Sequence, residues 1–147
     1  MMRCGCLHLP NWSVQRLHVE RPELRRAPLV LYQRDGRRGK QVVAGCALAA
    51  QAGVHAGMPL AEAATCLPGP LAIVPYEPVK DVTALSRLAE SCERFSPYVG
   101  WDTLTPRAAA GQNKQPPWFG ASPDHLFLDL SGVAALFGGE AALADCV

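Results

Sequence analysis

No run of 18 apolar residues occurs in this chain, which leaves it without a candidate membrane-spanning helix. The opening MMRCGCLHLPNW lacks an apolar stretch of the length a secretory signal needs, so a cytoplasmic location is expected. None of the six cysteines sits in a Cys-x-x-Cys pair, and without a secretory signal a disulfide framework is not expected. Their spacing also misses the zinc-finger and zinc-ribbon classes. Charge is scarce, at 18% of residues and a net +1, and no internal repeat is visible. With 49% hydrophobic residues against that low charge, the 147-residue chain reads as folded, one domain or one plus a small inserted unit.

The few charges are unevenly placed. Residues 1–40 hold nine Lys/Arg and three Asp/Glu, a surplus of six, whereas residues 41–147 hold five and ten, a deficit of five. A basic first third is what a phosphate-facing surface looks like, and equally what a solvated face looks like. Cys4, Cys6 and His8 alternate on a strand-like run and so share one face, a set that a metal could use. The plainer reading takes the cysteines as small buried hydrophobes.

Along the chain, CGCLHL (4–9) reads as a buried strand ended by Pro10, and Asn11 or Ser13 can cap a helix running towards Glu23. PLVLY (28–32) and QVVA (41–44) flank the Asp-Gly of RDGRRGK, the signature of a hairpin. Two short helices follow, Cys46 to Ala52 stopped by Gly53, and 60–67 introduced by Pro59. LAIVPYE (71–77) reads as a strand, and Lys80 to Phe95 as a helix with Val82, Leu85, Leu88, Ala89, Cys92 and Phe95 on its apolar stripe. YVGWDTL (98–104) reads as a strand and 105–122 as a flexible insertion. DHLFLDLSG (124–132) alternates, with His125, Phe127 and Asp129 on one face and Leu126, Leu128 and Leu130 on the other. A last helix starts near Gly139 and runs to the chain end, so the domain reads as cut short. The order predicts a mixed sheet with helices on one face.

Taken in order, LHLPNWSVQRL, PLVLY, VVAGCALAAQAGVHAGMPLAEAATCLPG, RLAESCERFSPYVG and SPDHLFLDLSG resemble the opening segments of Y-family DNA polymerases of the UmuC type. The most specific piece is A-x-x-x-G-V-x-A-G-M-P-L-x-E-A at 49–63. CLHLPNWSVQRL, ERFSPYVG and LDLSGVAALFGGE are similar to the ImuB-like accessory branch, whose members lack the polymerase carboxylates. The resemblance implies an α/β (α+β) fold, a ferredoxin-like palm with a small helical fingers insertion, in truncated form. Residues 1–40 would be the first part of the palm with a basic hairpin, 41–68 the fingers-like insertion, and 69–147 the palm continuation. The rest of the palm, the thumb and the little finger would be absent.

Active members of that family bind Mg²⁺ with an Asp-x-Asp on the first strand and an Asp-Glu on a later hairpin. Here the matching positions are His8 and Pro10, and Asp124 and His125. Two-metal nucleotidyl transfer needs several converging carboxylates, and one cannot hold two Mg²⁺ ions. The Tyr and Arg that hold the triphosphate in the family correspond to Ala47 and Ala50, and the bulky sugar-gating residue to Ser13. No catalytic, nucleotide or metal site is therefore expected to be intact, and no cofactor is expected. His8, Asp124 and His125 could make a transition-metal site, but a strand would turn Asp124 and His125 to opposite faces.

What the resemblance leaves is DNA contact through Arg34, Arg37, Arg38 and Lys40, which read equally as a solvated hairpin tip, with Trp12, Trp101 and Trp118 as candidates to stack on bases, although Trp12 reads more simply as palm core. It implies a non-catalytic scaffold in DNA damage tolerance and translesion mutagenesis. Family partners would be the sliding clamp, a RecA-type protein and a mutagenic replicative-type polymerase. The alternatives are an active error-prone translesion polymerase, a transition-metal-binding protein using Cys4, Cys6 and His8 or His8 and His125, and a non-functional gene fragment.

Overall fold

The structure, a computed structural model, describes residues 3–67, 69–101 and 124–147. The element order is β1 (Cys4–His8), α1 (Trp12–Glu20), β2 (Leu29–Asp35), β3 (Gly39–Gly45), α2 (Ala47–Gln51), α3 (Leu60–Thr65), β4 (Ala72–Pro75), α4 (Pro78–Cys92), β5 (Val99–Trp101), β6 (His125–Asp129) and α5 (Glu140–Cys146). The expected single mixed sheet is instead two three-stranded sheets, β1-β6-β5 and β3-β2-β4. The first is antiparallel throughout, while in the second β2 pairs antiparallel with β3 and parallel with β4. Local periodicity carries no information on which distant strands pair, so this division was not readable from the chain.

Each sheet has its own core. Leu29, Val30 and Leu31 of β2 pack with Val14 and Leu17 of α1, Val42, Ala49, Met58, Leu60, Ala63 and Val74. Leu126 and Leu128 of β6 pack with Leu85, Ala89 and Cys92 of α4, Phe95 and Leu143. The alternation expected for β6 holds, because Leu126 and Leu128 are buried and Phe127 between them is exposed. Among the described residues no helix is long and apolar enough to cross a membrane.

Several expectations need correction. Strand β1 is not buried: Cys4, Cys6 and His8 form an exposed face, since only Gly5 and Leu7 turn inward. Of the cysteines, Cys46 and Cys92 are buried, whereas Cys4, Cys6 and Cys146 are exposed. Helix α1 stops at Glu20, because Pro22 opens a separate 3₁₀ turn, Pro22–Arg26. Asn11 precedes α1 in a left-handed conformation (φ 57°) without capping it, and its amide donates instead to the Gly45 carbonyl at 2.7 Å. The strand expected at 41–44 is present as part of β3, which extends from Gly39 to Gly45. The segment 105–122 and Trp118 lie outside the described residues.

Helix α4 carries the most informative correction. Its buried positions are Asp81, Leu85, Ala89 and Cys92, while Val82 is 40% exposed. The stripe is thus one residue out of register at its start, where an acid takes an apolar place. Gly53 behaves as expected: its φ of +89° ends the α2 turn in a conformation that disfavours any side chain.

Candidate functional site

The antiparallel pairing of β1 with β6 sets His8 opposite His125. Just beyond the last pair, the Leu9 N–H donates to the Asp124 carbonyl at 2.6 Å, which locks the main chain of Asp124 beside the end of β1. Asp124 precedes β6 rather than lying on it, so the strict alternation expected of a strand does not govern its side chain. Its carboxylate lies 2.5 Å from His125 Nδ1 and 3.6 Å from His8 Nε2. The two imidazoles stack at 4.5 Å between centroids, 12° from parallel. The structure thus brings together His8, Asp124 and His125, which the sequence expected to diverge. Pro10 sits in the exposed turn after β1 and offers no side-chain ligand.

One carboxylate and two imidazoles do not fit a pair of Mg²⁺ ions, which take hard oxygen ligands from several acids. No second Asp or Glu joins His8, Asp124 and His125 among the described residues.

Beside Asp124 opens a cleft of about 160 Å³, lined by Asn11, Trp12, Ser13, Val43, Ala44, Tyr76 and Asp124. Its lining contains no Lys or Arg and one carboxylate, so among the described residues nothing in it neutralises a triphosphate. Ala47 and Ala50 are exposed on α2 and do not line the cleft. Ser13 does line it, but is buried, and its hydroxyl donates to Asp81 Oδ2 at 2.6 Å.

That hydrogen bond belongs to a cluster the sequence did not reveal. Arg16 Nε donates to Asp81 Oδ1 at 2.5 Å and Arg16 also pairs with Glu20 at 2.7 Å, tying α1 to α4. Burial would lower the Arg16 pKa, but hydrogen bonds to Asp81 and Glu20 outweigh it and leave the pKa raised. Trp12 Nε1 donates to the Asp81 backbone carbonyl at 2.9 Å, and its half-buried ring packs on the β6 core. Trp12 is thereby held as a core residue. Trp101, on β5, is half-buried against the same core.

The basic hairpin lies in the other sheet. Arg34, Arg37, Arg38 and Lys40 are all exposed around the β2–β3 turn. Asp35 shapes that turn: its Oδ1 accepts from the Arg37 N–H at 2.7 Å and the Arg38 N–H at 3.2 Å. These two amides hold its carboxyl below the ordinary value. The Lys40 ammonium lies over the Tyr32 ring, 4.9 Å from its centroid. Arg38 and Lys40 also border an apolar hollow of about 470 Å³ lined by Pro59, Leu60, Ala61, Ala64 and Ile73, a feature that no local pattern announces.

The profile of the impB/mucB/samB family matches residues 8–105, about two thirds of the chain. No curated protein matches significantly. Among solved structures, the insertion ternary complex of Dbh DNA polymerase is similar at TM-score 0.69 and 19% identity, over 99% of this chain and 37% of that one. DinB from Sulfolobus solfataricus is similar at TM-score 0.65 and 20% identity, over 92% of this chain and 33% of that one. A Y-family DNA polymerase chimera aligns at TM-score 0.64 and 18% identity, over 98% of this chain and 36% of its own. The chain thus spans little more than a third of the solved polymerases it matches. It belongs to the impB/mucB/samB family, and its fold is that of the corresponding palm and fingers part of Y-family DNA polymerases.

Proposed function

We propose that this chain is a non-catalytic, UmuC-type module of DNA damage tolerance, of the ImuB-like branch, which docks on DNA as a scaffold for a separate error-prone polymerase. The observation that carries this reading is the donor set at the β1–β6 end. Where active members are expected to present acids, this chain has His8, Pro10, Asp124 and His125, of which Asp124 alone is a carboxylate. Loss of the triphosphate site points the same way, since Ala47 and Ala50 can neither donate hydrogen bonds nor neutralise charge, and Ser13 is engaged by Asp81.

The similar solved proteins are DNA polymerases, one of them in an insertion ternary complex. By extension, the exposed cations Arg34, Arg37, Arg38 and Lys40 are the DNA-contacting residues of this chain, acting on phosphates rather than bases. In this reading residues 1–40 are the first part of the palm with its hairpin, 41–68 the fingers-like insertion and 69–147 the palm continuation. The partners are a sliding clamp, a RecA-type protein and a mutagenic replicative-type polymerase, in the cytoplasm.

Primer extension by the natural polypeptide that carries this chain, with Mg²⁺ or Mn²⁺, tests the loss of chemistry. No template-dependent incorporation is expected. Incorporation that Asp124→Ala abolishes would establish an active translesion polymerase instead.

A further inference from the structure

The donors that do not fit magnesium do fit a softer ion. We propose that His8, Asp124 and His125 bind a single transition-metal dication of the zinc class, through one nitrogen of each imidazole and a carboxylate oxygen. One potential ligand atom from each residue lies within 4.8 Å of the other two. Ligand bonds of about 2.0–2.2 Å around a tetrahedral centre set donors roughly 3.4 Å apart. The strand register and the Leu9–Asp124 hydrogen bond hold the three backbones side by side, so side-chain rotation is the movement that would close that difference. The side chains border solvent, which leaves room for an ion to enter: His8 is 56% exposed, His125 41% and Asp124 32%.

Charge argues in the same direction. Asp124 has no Lys or Arg partner among the described residues, where its ion-pair partners are the two imidazoles. A dication would supply the positive charge that no basic side chain provides. Two imidazoles with one carboxylate favour zinc, nickel or copper and disfavour magnesium and calcium, which take oxygen ligands. Three protein ligands leave a coordination position open. Cys4 and Cys6 share the exposed face of β1, yet no grouping of metal-ligating atoms among the described residues includes them. Metal binding here requires neither DNA docking nor nucleotidyl transfer.

The test is titration of the tag-free chain with Zn²⁺, followed by bound-metal analysis and by the imidazole NMR signals, with Co²⁺ absorption as a second probe. One equivalent per chain is expected, with the signals of both His8 and His125 shifting and no competition from millimolar Mg²⁺. His8→Ala, His125→Ala and Asp124→Ala should each weaken binding by at least about tenfold, since loss of even an outer-shell partner typically costs that much. His8→Gln and His125→Gln serve where an alanine variant does not fold, as read by circular dichroism. The Cys4→Ser/Cys6→Ser variant should keep the site. Absence of stoichiometric binding to the folded chain would overturn the proposal, as would binding that survives the histidine variants but is lost in the cysteine variant.

Discussion

Replacing Asp81 by alanine removes the carboxylate at the join between α1 and α4. Asp81 is 0% exposed and accepts from the Ser13 hydroxyl at 2.6 Å and from Arg16 Nε at 2.5 Å. The variant leaves a guanidinium that is only 3% exposed with Glu20 as its remaining acid, and leaves the Ser13 hydroxyl without its acceptor. Removing one partner of a buried pair costs about 3–5 kcal/mol. The half-exposed Glu20 still offsets part of the Arg16 charge, so the lower end, about 3 kcal/mol, is expected. Against a typical total of roughly 5–15 kcal/mol, that is a large fraction. Urea unfolding followed by circular dichroism should show the midpoint falling while the slope stays constant. The double variant Asp81→Leu/Arg16→Met should recover most of the loss, because an apolar pair of similar volume carries no desolvation cost. A loss below about 1 kcal/mol for Asp81→Ala, or a double variant no more stable than the single one, would refute the reasoning.

Leu85→Ala should cost about 2–5 kcal/mol, because Leu85 is completely buried, whereas Val82→Ala should stay within about 0.5 kcal/mol; equal costs in thermal melts would contradict the α4 face described above. The Asp35 carboxyl should titrate below its ordinary 3.8, held down by the amides of Arg37 and Arg38. Because folding lowers this pKa, the hairpin's contribution is present above pH 3.8 and disappears as the pH falls through the lower folded value. A carboxyl NMR titration midpoint at or above 3.8 would remove this support for the turn.

How much of this was legible in the sequence depended on whether the signal was local. The alternation of Leu126, Phe127 and Leu128 yielded β6 and its faces, and Asp35-Gly36 yielded the hairpin. Gly53 marked the end of α2, and Gly139 the start of α5. These positions need only neighbouring residues to be understood. Asp81 could not be found in this way: a charged residue at an apolar position reads as exposed until Arg16 and Ser13 are known to reach it. The separation into two sheets, and the parallel pairing of β2 with β4, likewise depend on register between remote segments.

For the site, the residue types were readable and their arrangement was not. The substitution of His8, Pro10 and His125 for acids could be inferred by resemblance, because the surrounding motifs survive. Their convergence is not legible in the chain, because strand alternation would separate Asp124 from His125, whereas Asp124 precedes β6 and its carboxylate reaches His125. The exposure of the cysteines is hidden for a related reason. Cys4 and Cys6 lie in an apolar run, but only one face of β1 meets a core.

Docking on DNA through the basic hairpin, without polymerase chemistry, is tested most directly by fluorescence anisotropy of labelled primer–template DNA from low to moderate salt. Binding is expected to weaken with salt, with a log–log slope near −3.6 if Arg34, Arg37, Arg38 and Lys40 each neutralise about one phosphate. Replacing those four residues by glutamine should flatten the slope by about 3–4 units. A folded chain that does not bind at low salt, or whose salt-dependent binding is unchanged in the four-fold variant, would contradict it.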